Sequence, residues 1–439
     1  RNMTIIQEKA GKFLAAHGMA AEAVNLRENA DVFIGEMERG LKGEESSLFM
    51  IPTYISIDKQ IPAGERIIVV DAGGTNFRVA TVVFDEKGNA SIDDFNNYPM
   101  PGTQGEITIE EFFDTAAEYL EPVIDKSDKI GFCFSYPTEI YPNRDGRLIR
   151  FVKEVKVKGS EGAFIGKGLL EAVKARGHQE KKSIVLVNDA VTTLIGGKAA
   201  CPDRQFDSYI GFIWGTGTNT CYMEQTRRIT KLGSAADIDG TMLINVESGG
   251  YAKAPRGDLD AGFDATTVNP GGYMFEKMIS GAYQGGMVRT VLVQAAKEGL
   301  FTAETGKRIA ALESLSSKEI DDFLFRPYGE NALAHCCGGV EEDCQTLYYL
   351  IDGLMERAAR FVAFNLAAVM LKTGKGANPC RPVCVTMDGS TYYKSKLCKD
   401  KLSAYTKSFL NEELGLYCEF IKAENPNLIG AAIAGLLNA

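Results

Sequence analysis

Two β-branched segments joined through a pair of glycines constrain this chain more than any other stretch of it. Residues 66–70 (Arg-Ile-Ile-Val-Val) run into Asp71-Ala72-Gly73-Gly74-Thr75-Asn76-Phe77-Arg78, and residues 79–84 (Val-Ala-Thr-Val-Val-Phe) lead out. Both flanks read as strands, and glycine tolerates the positive φ that a tight turn between them needs. With no side chains at Gly73 and Gly74, successive backbone N–H groups can face an anion. Asp71, ending the first strand, is suited to hold a hydrated Mg²⁺. Taken alone, the turn is equally an ordinary hairpin. The pattern returns about 140 residues later, with a strand at 208–214, a tip at Gly215-Thr216-Gly217-Thr218 and a second strand at 219–224. Two copies of one phosphate-holding device imply two related domains gripping one polyphosphate.

The length allows this, since 439 residues suffice for two cores. A net charge of −10, from 58 acidic against 48 basic side chains, argues against nucleic acid or an acidic membrane as the main partner. An anionic ligand must then be held by local N–H groups, a few cations and a metal. The ten cysteines show no disulfide-framework spacing. His335-Cys336-Cys337 with Cys344 lacks the paired spacing of a structural zinc site, and buried thiols behave as small hydrophobes. Residues 1–8 hold no uninterrupted apolar run, and the apolar run 362–371 is shorter than the ~20 residues a bilayer requires. A reducing cytoplasm is the expected location.

Along the chain, residues 4–41 read as a helical flank. A third strand is expected near 91–98, an amphipathic helix over 107–124, and interior strands at 130–134 and 184–187, with a short helix at 169–176 between them. This hairpin followed by β/α alternation is the pattern of an α/β protein. Residues 247–272, rich in Gly, Asp and Pro, read as loop. Helices follow at 273–281, 286–298, 317–323 and 343–372, then a buried strand at 383–387 that ends in Asp388-Gly389-Ser390-Thr391. Ligands of α/β proteins gather at such carboxyl ends of strands. The small-residue segment 429–435 reads as a helix that lets another element approach closely. Residues 162–168 imitate a Walker A loop, but the spacing is one residue short and no Ser or Thr follows Lys167.

Val187-Asn188-Asp189-Ala190 places a carboxylate where a buried strand ends. Such an aspartate suits a base that takes a hydroxyl proton, and equally a helix N-cap. Glu247 and Glu276 are two further acids in glycine-containing surroundings. Paired carboxylates accept hydrogen bonds from vicinal hydroxyls, although most glutamates are simply solvated.

These residues carry a resemblance. From about Met50 to the C-terminus the sequence resembles a eukaryotic-type hexokinase/glucokinase, through VVDAGGTNFRV, IGFCFSYP with GRLIRF, VNDAVTT, IGFIWGTGTNTCYMEQ, INVESGG, NPGGYMFEKMISGAYQGGMVR and VTMDGSTYYKS, in that order. The resemblance implies an α/β, two-domain actin-like (ribonuclease H-like) ATPase fold with a sugar-binding cleft between the domains. Residues 1–64 and 198–424 would form the large domain, 65–197 and 425–439 the small one. It implies ATP-dependent phosphorylation of a hexose 6-hydroxyl, glucose first and mannose or fructose as alternatives, with ATP and Mg²⁺ as cofactors. Asp189 would be the base, with Lys153 as the sugar-loop lysine; Ser135, Asn188, Asn219, Glu247 and Glu276 would bind sugar. Asp71, Gly73, Gly74, Thr75 and Asn76 would hold phosphates and Mg²⁺ from one side, the metal through water on Asp71, and Gly215, Thr216 and Gly217 from the other. Gly389, Ser390 and Thr391 would lie near the adenosine.

The chain departs from that pattern at several points. Val152 stands for a threonine, Glu154-Val155 for Gly-Phe, Ser248 for a tryptophan, and Gly272-Tyr273 for two glutamines. Residues 427–430 replace a glycine-rich phosphate segment. A sugar sensor that binds hexose with little turnover is the alternative these changes raise. An actin-like ATPase without a sugar site would leave Glu247 and Glu276 without a role.

Overall fold

A computed structural model describes residues 4–151 and 154–439. Two sheets organise it. In the first, the strands run in the order Ser183–Val187, Lys129–Phe134, Ile67–Gly73, Asn76–Phe84, Ala90–Pro99. The first three are parallel and the last two continue antiparallel. The second sheet repeats that order from its other edge: Cys418–Ile421, Val383–Asp388, Ser208–Trp214, Thr218–Gln225, Thr241–Asn245, with the short strand Ile51–Pro52 added outside. Its parallel and antiparallel pairings match strand for strand. The two glycine-tipped hairpins are therefore equivalent corners of two copies of one topology.

The helix Asp189–Ala200 lies between the sheets and packs on both the second sheet and the C-terminal helix Pro426–Asn438. That last helix is small-residued because the first sheet leaves no room. A Cβ on Gly131 would meet the Ala431 carbonyl oxygen at 2.0 Å. Close helix packing is thus the role of 429–435. A large core gathers the N-terminal helices Ile5–Ala16 and Leu26–Lys42, the second sheet and the 33-residue helix Glu341–Thr373. The first sheet has its own cores on its two faces.

The elements expected from sequence are present, with shifts. The 107–124 helix spans Ile109–Leu120, begun by a Thr108–Glu111 capping box. The helix expected at 169–176 starts earlier, at Ile165. Its first N–H groups, those of Gly166 and Lys167, donate to Asp145 at 2.7 and 2.9 Å. The carboxylate closes the end that imitated a phosphate loop. Residues 247–272 are not all loop, because Asp258–Ala265 is helical. Buried Arg357 grips Asp260 through two hydrogen bonds of 2.7 and 2.8 Å, which local composition does not reveal. Short helices at Ala303–Ala310 and Ala332–Cys337 also escape the sequence reading. Cys336, Cys337 and Cys344 are buried in the large core. No helix among the described residues is long and apolar enough to cross a membrane.

Candidate active site

The strand Ser183–Val187 delivers Asn188 and Asp189 to the start of the central helix. Asn188 takes the capping role, its Oδ1 accepting from the Ala190 N–H at 2.9 Å. That leaves the Asp189 carboxylate free to line a cavity of about 280 Å³ between the two sheets. From the first sheet's side Ser135 and Asn188 join it. From the second sheet's side come Gly217, Asn219, Glu247, Tyr273 and Glu276. Asp189, Ser135, Asn188, Asn219, Glu247 and Glu276 are thereby brought together. Lys153 and Val152 lie outside the described residues.

The far wall is a hydrogen-bonded frame. Asn219, 8% exposed, gives its amide N–H to Asn245 Oδ1 at 2.7 Å, and Asn245 gives its own to Glu247 Oε1 at 2.7 Å. Asn219 Oδ1 accepts from the backbone N–H groups of Thr220 and Ser248. Glu276 Oε1 accepts from the Thr218 N–H at 2.9 Å. Glu247 sits at φ 56°, ψ 48°, a left-handed conformation that costs an L-residue about 1–2 kcal/mol and gathers at functional sites. Burial raises the carboxyl groups of Glu247 and Glu276. Asp189 is pushed up to about 7, first by burial and then by the charges of Glu247, Asp388 and Asp71. A carboxylate titrating near neutrality is matched to proton abstraction at physiological pH.

Asp71 faces a second, polar cavity of about 470 Å³ shared with Arg78, Asp388 and Asn427. It is 5% exposed. Burial raises its carboxyl while Arg78, at 3.3 Å, opposes the rise. The charges of Asp71 and Asp388 reach Asp189, although Asp189 itself lines only the first cavity.

The tips are held from behind. In the first, Gly74 has φ +58°, its carbonyl accepts from the Tyr136 hydroxyl at 2.9 Å, and Thr75 O accepts from the Met100 N–H. Gly73 pairs with Asn76 across the turn and lies against Ser135. In the second, the Gly215 carbonyl accepts from the Gly281 N–H at 2.7 Å and the Thr391 hydroxyl at 2.9 Å. Thr216 remains exposed. Gly389 is the one residue that fits behind it, since a Cβ there would stand 2.4 Å from the Trp214 carbonyl. Gly389, Ser390 and Thr391 line neither cavity, and Thr391 supports the tip. Sequence reasoning missed Asn245, Asp388, Asn427 and Arg78 as members of the site.

Two domains of matched topology closing over one cleft define the class, the actin-like sugar-kinase fold. The same fold is seen in a hexokinase from Schistosoma mansoni complexed with glucose, at TM-score 0.76 and 23% identity, covering 98% of each chain. It is seen again in a second hexokinase crystal structure, at TM-score 0.76 and 21% identity, covering 98% of this chain and 99% of the other. Family profiles, both described as hexokinase, match residues 14–199 and 209–437, and the chain belongs to the hexokinase family. It is 29% identical over 429 residues to Hexokinase-1 of Schizosaccharomyces pombe, spanning 93% of this chain and 87% of that one. It is 30% identical over 424 residues to human Hexokinase-2, spanning 91% of this chain and 45% of the longer human protein.

Proposed function

We propose that this hexokinase transfers the γ-phosphoryl group of ATP to the 6-hydroxyl of a hexose, glucose first among them, with Asp189 as the base. The observation that carries the reading is one cavity between the two sheets lined by Asp189, its carboxyl raised, together with Glu247 and Glu276. Glu247 and Glu276 accept hydrogen bonds from vicinal sugar hydroxyls, while Ser135, Asn188 and Asn219 complete the contacts. Lys153 adds a charge from the sugar loop. The 6-hydroxyl then points at Asp189, which takes its proton as the oxygen attacks phosphorus in line. Positioning and charge neutralisation supply most of the acceleration in such transfers, and a placed base supplies about 10²- to 10⁴-fold.

The first tip (Gly73, Gly74, Thr75, Asn76) and the second (Gly215, Thr216, Gly217) hold the phosphates, with Gly389 and Ser390 towards the adenosine. Asp71 and Asp388, both hard oxygen donors in one polar cavity, fit a hydrated Mg²⁺. When bound there, that ion neutralises phosphate charge.

The division into a large domain (1–64, 198–424) and a small one (65–197, 425–439) is supported by the two sheets, each of a strand order we assign to the ribonuclease H-like type. Asp189 and Asp71 in their cavities support turnover over a binding-only sensor. A coupled ADP-release assay across aldohexoses and fructose at fixed Mg-ATP tests the proposal. It predicts hexose-dependent turnover and ADP release that hexose stimulates well above the ATPase background, because the closed site that assembles on hexose binding excludes water as a competing acceptor. Absence of turnover with every hexose would sink it.

A further inference from the structure

Tyr273 occupies a backbone conformation that bulky residues avoid. It has φ 51° and ψ 41° at the start of the Met274–Ile279 helix, in the left-handed region where aromatic residues are outliers. The surroundings leave its backbone no freedom. Buried Lys277 donates to Asp264 Oδ1 and to the Asn269 carbonyl, both at 2.5 Å. Asp264 Oδ2 accepts from the Gly271 N–H at 2.9 Å. The Tyr273 carbonyl accepts from the Lys277 N–H at 3.0 Å. A side chain at Gly272 would run into Asn269 at 2.4 Å. This frame holds a strained tyrosine against the sugar cavity, on the same wall as Glu247 and Glu276. Strain of this kind persists where the surrounding structure over-determines it, and it clusters at ligand sites.

The chemistry of that wall is dominated by acceptors. Glu247 and Glu276 as carboxylates only accept. The Asn219 and Asn245 amides each spend one N–H within the frame, on Asn245 and on Glu247, and keep one more apiece. A hydroxyl that donates to a carboxylate still has lone pairs to satisfy. The Tyr273 phenol is kept protonated, its titration raised first by burial and then by Glu247, with Arg150 opposing and Glu276 adding. It is thus a neutral donor beside two carboxylates.

We infer that Tyr273 is a specificity-determining residue, its hydroxyl donating to the sugar hydroxyl that Glu247 or Glu276 accepts from, and its ring limiting the size of the substituent at that carbon. The inference rests on the hexose-kinase reading above.

The test is steady-state kinetics of the unmodified chain, Tyr273→Phe and Tyr273→Asn with the preferred hexose and its monodeoxy analogues. Removing one such hydrogen bond raises the hexose KM about fivefold to tenfold. The kcat and the KM for Mg-ATP shift by less than about twofold, as expected for binding lost equally from ground and transition states. The Phe penalty vanishes for the one deoxy sugar that lacks the contacted hydroxyl. Tyr273→Asn, which suits the left-handed backbone, accepts a bulkier group at that same carbon. An unchanged hexose KM in Tyr273→Phe, or an equal penalty on every deoxy sugar, would overturn the inference alone. An unmodified chain inactive on every hexose would overturn it together with its parent reading.

Discussion

Replacing Asp189 with asparagine should stabilise the protein while disabling it. The carboxyl titrates near 7 in the fold against about 3.9 in an unfolded chain. A folded value above the unfolded one means that the native state binds the extra proton. Stability of the unmodified chain therefore falls as pH rises from about 4 to about 7. At about 1.36 kcal/mol per pH unit the full loss is about 4 kcal/mol. Asp189 keeps partial access to the cleft, so water reaching the carboxylate reduces this towards about 2 kcal/mol. Asparagine mimics the neutral acid and escapes the penalty. Urea unfolding at pH 4.5 and pH 8 should give near-equal stabilities at the lower pH, and at the higher pH a variant more stable by about 2–4 kcal/mol. Turnover should drop by about 10²- to 10⁴-fold. A variant no more stable at pH 8 than at pH 4.5, relative to the unmodified chain, would refute the picture of a carboxylate held against burial and like charge.

The same titration sets the activity profile: kcat/KM should climb with pH through about 7 and level off above, and a profile flat from pH 5.5 to 8.5 would contradict a base of that character. Thr391→Val removes the hydroxyl that holds the Gly215 carbonyl, at a cost of about 1 kcal/mol. Initial-rate kinetics should show KM for Mg-ATP raised about fivefold and KM for hexose unchanged, whereas a change in the hexose term alone would count against its supporting role. Gly131→Ala pushes a methyl into the Ala431 carbonyl. Overpacking of this kind costs about 1–3 kcal/mol, and thermal melting should show it as a clear loss of stability; an unaltered melt would mean the C-terminal helix is free to shift.

What could be read from sequence divides by range of interaction. The hairpins at 73–76 and 215–218 were legible because strand, glycine tip and strand are adjacent in the chain, and so was their recurrence. Asp189 was legible from its place at the end of a buried strand, though base and helix cap were both open to it until its neighbour Asn188 proved to be the cap. Asp388 and Asn427 meet Asp71 across more than 300 residues; a strand end and a phosphate-segment position mark their neighbourhoods, but nothing local pairs them with Asp71. Asn245 reads as the end of a strand, and only its place between Asn219 and Glu247 gives it a function. The Asp258–Ala265 helix hid behind Gly, Asp and Pro because it is fixed by Arg357 from the long helix, a tertiary contact. Thr391, expected beside the nucleotide from the strand end that precedes it, donates its hydroxyl to the Gly215 carbonyl under the second tip, a contact its local sequence does not announce.

The central claim is that one aspartate, lining the cavity between the two sheets, activates a primary sugar alcohol. Phosphorus-31 and carbon-13 NMR of the product formed from glucose and Mg-ATP test it most directly, run beside the Asp189→Ala variant. The account predicts a single phosphomonoester on C6 from the unmodified chain and almost none from the variant. Phosphate on another carbon, or an equal yield without Asp189, would contradict it.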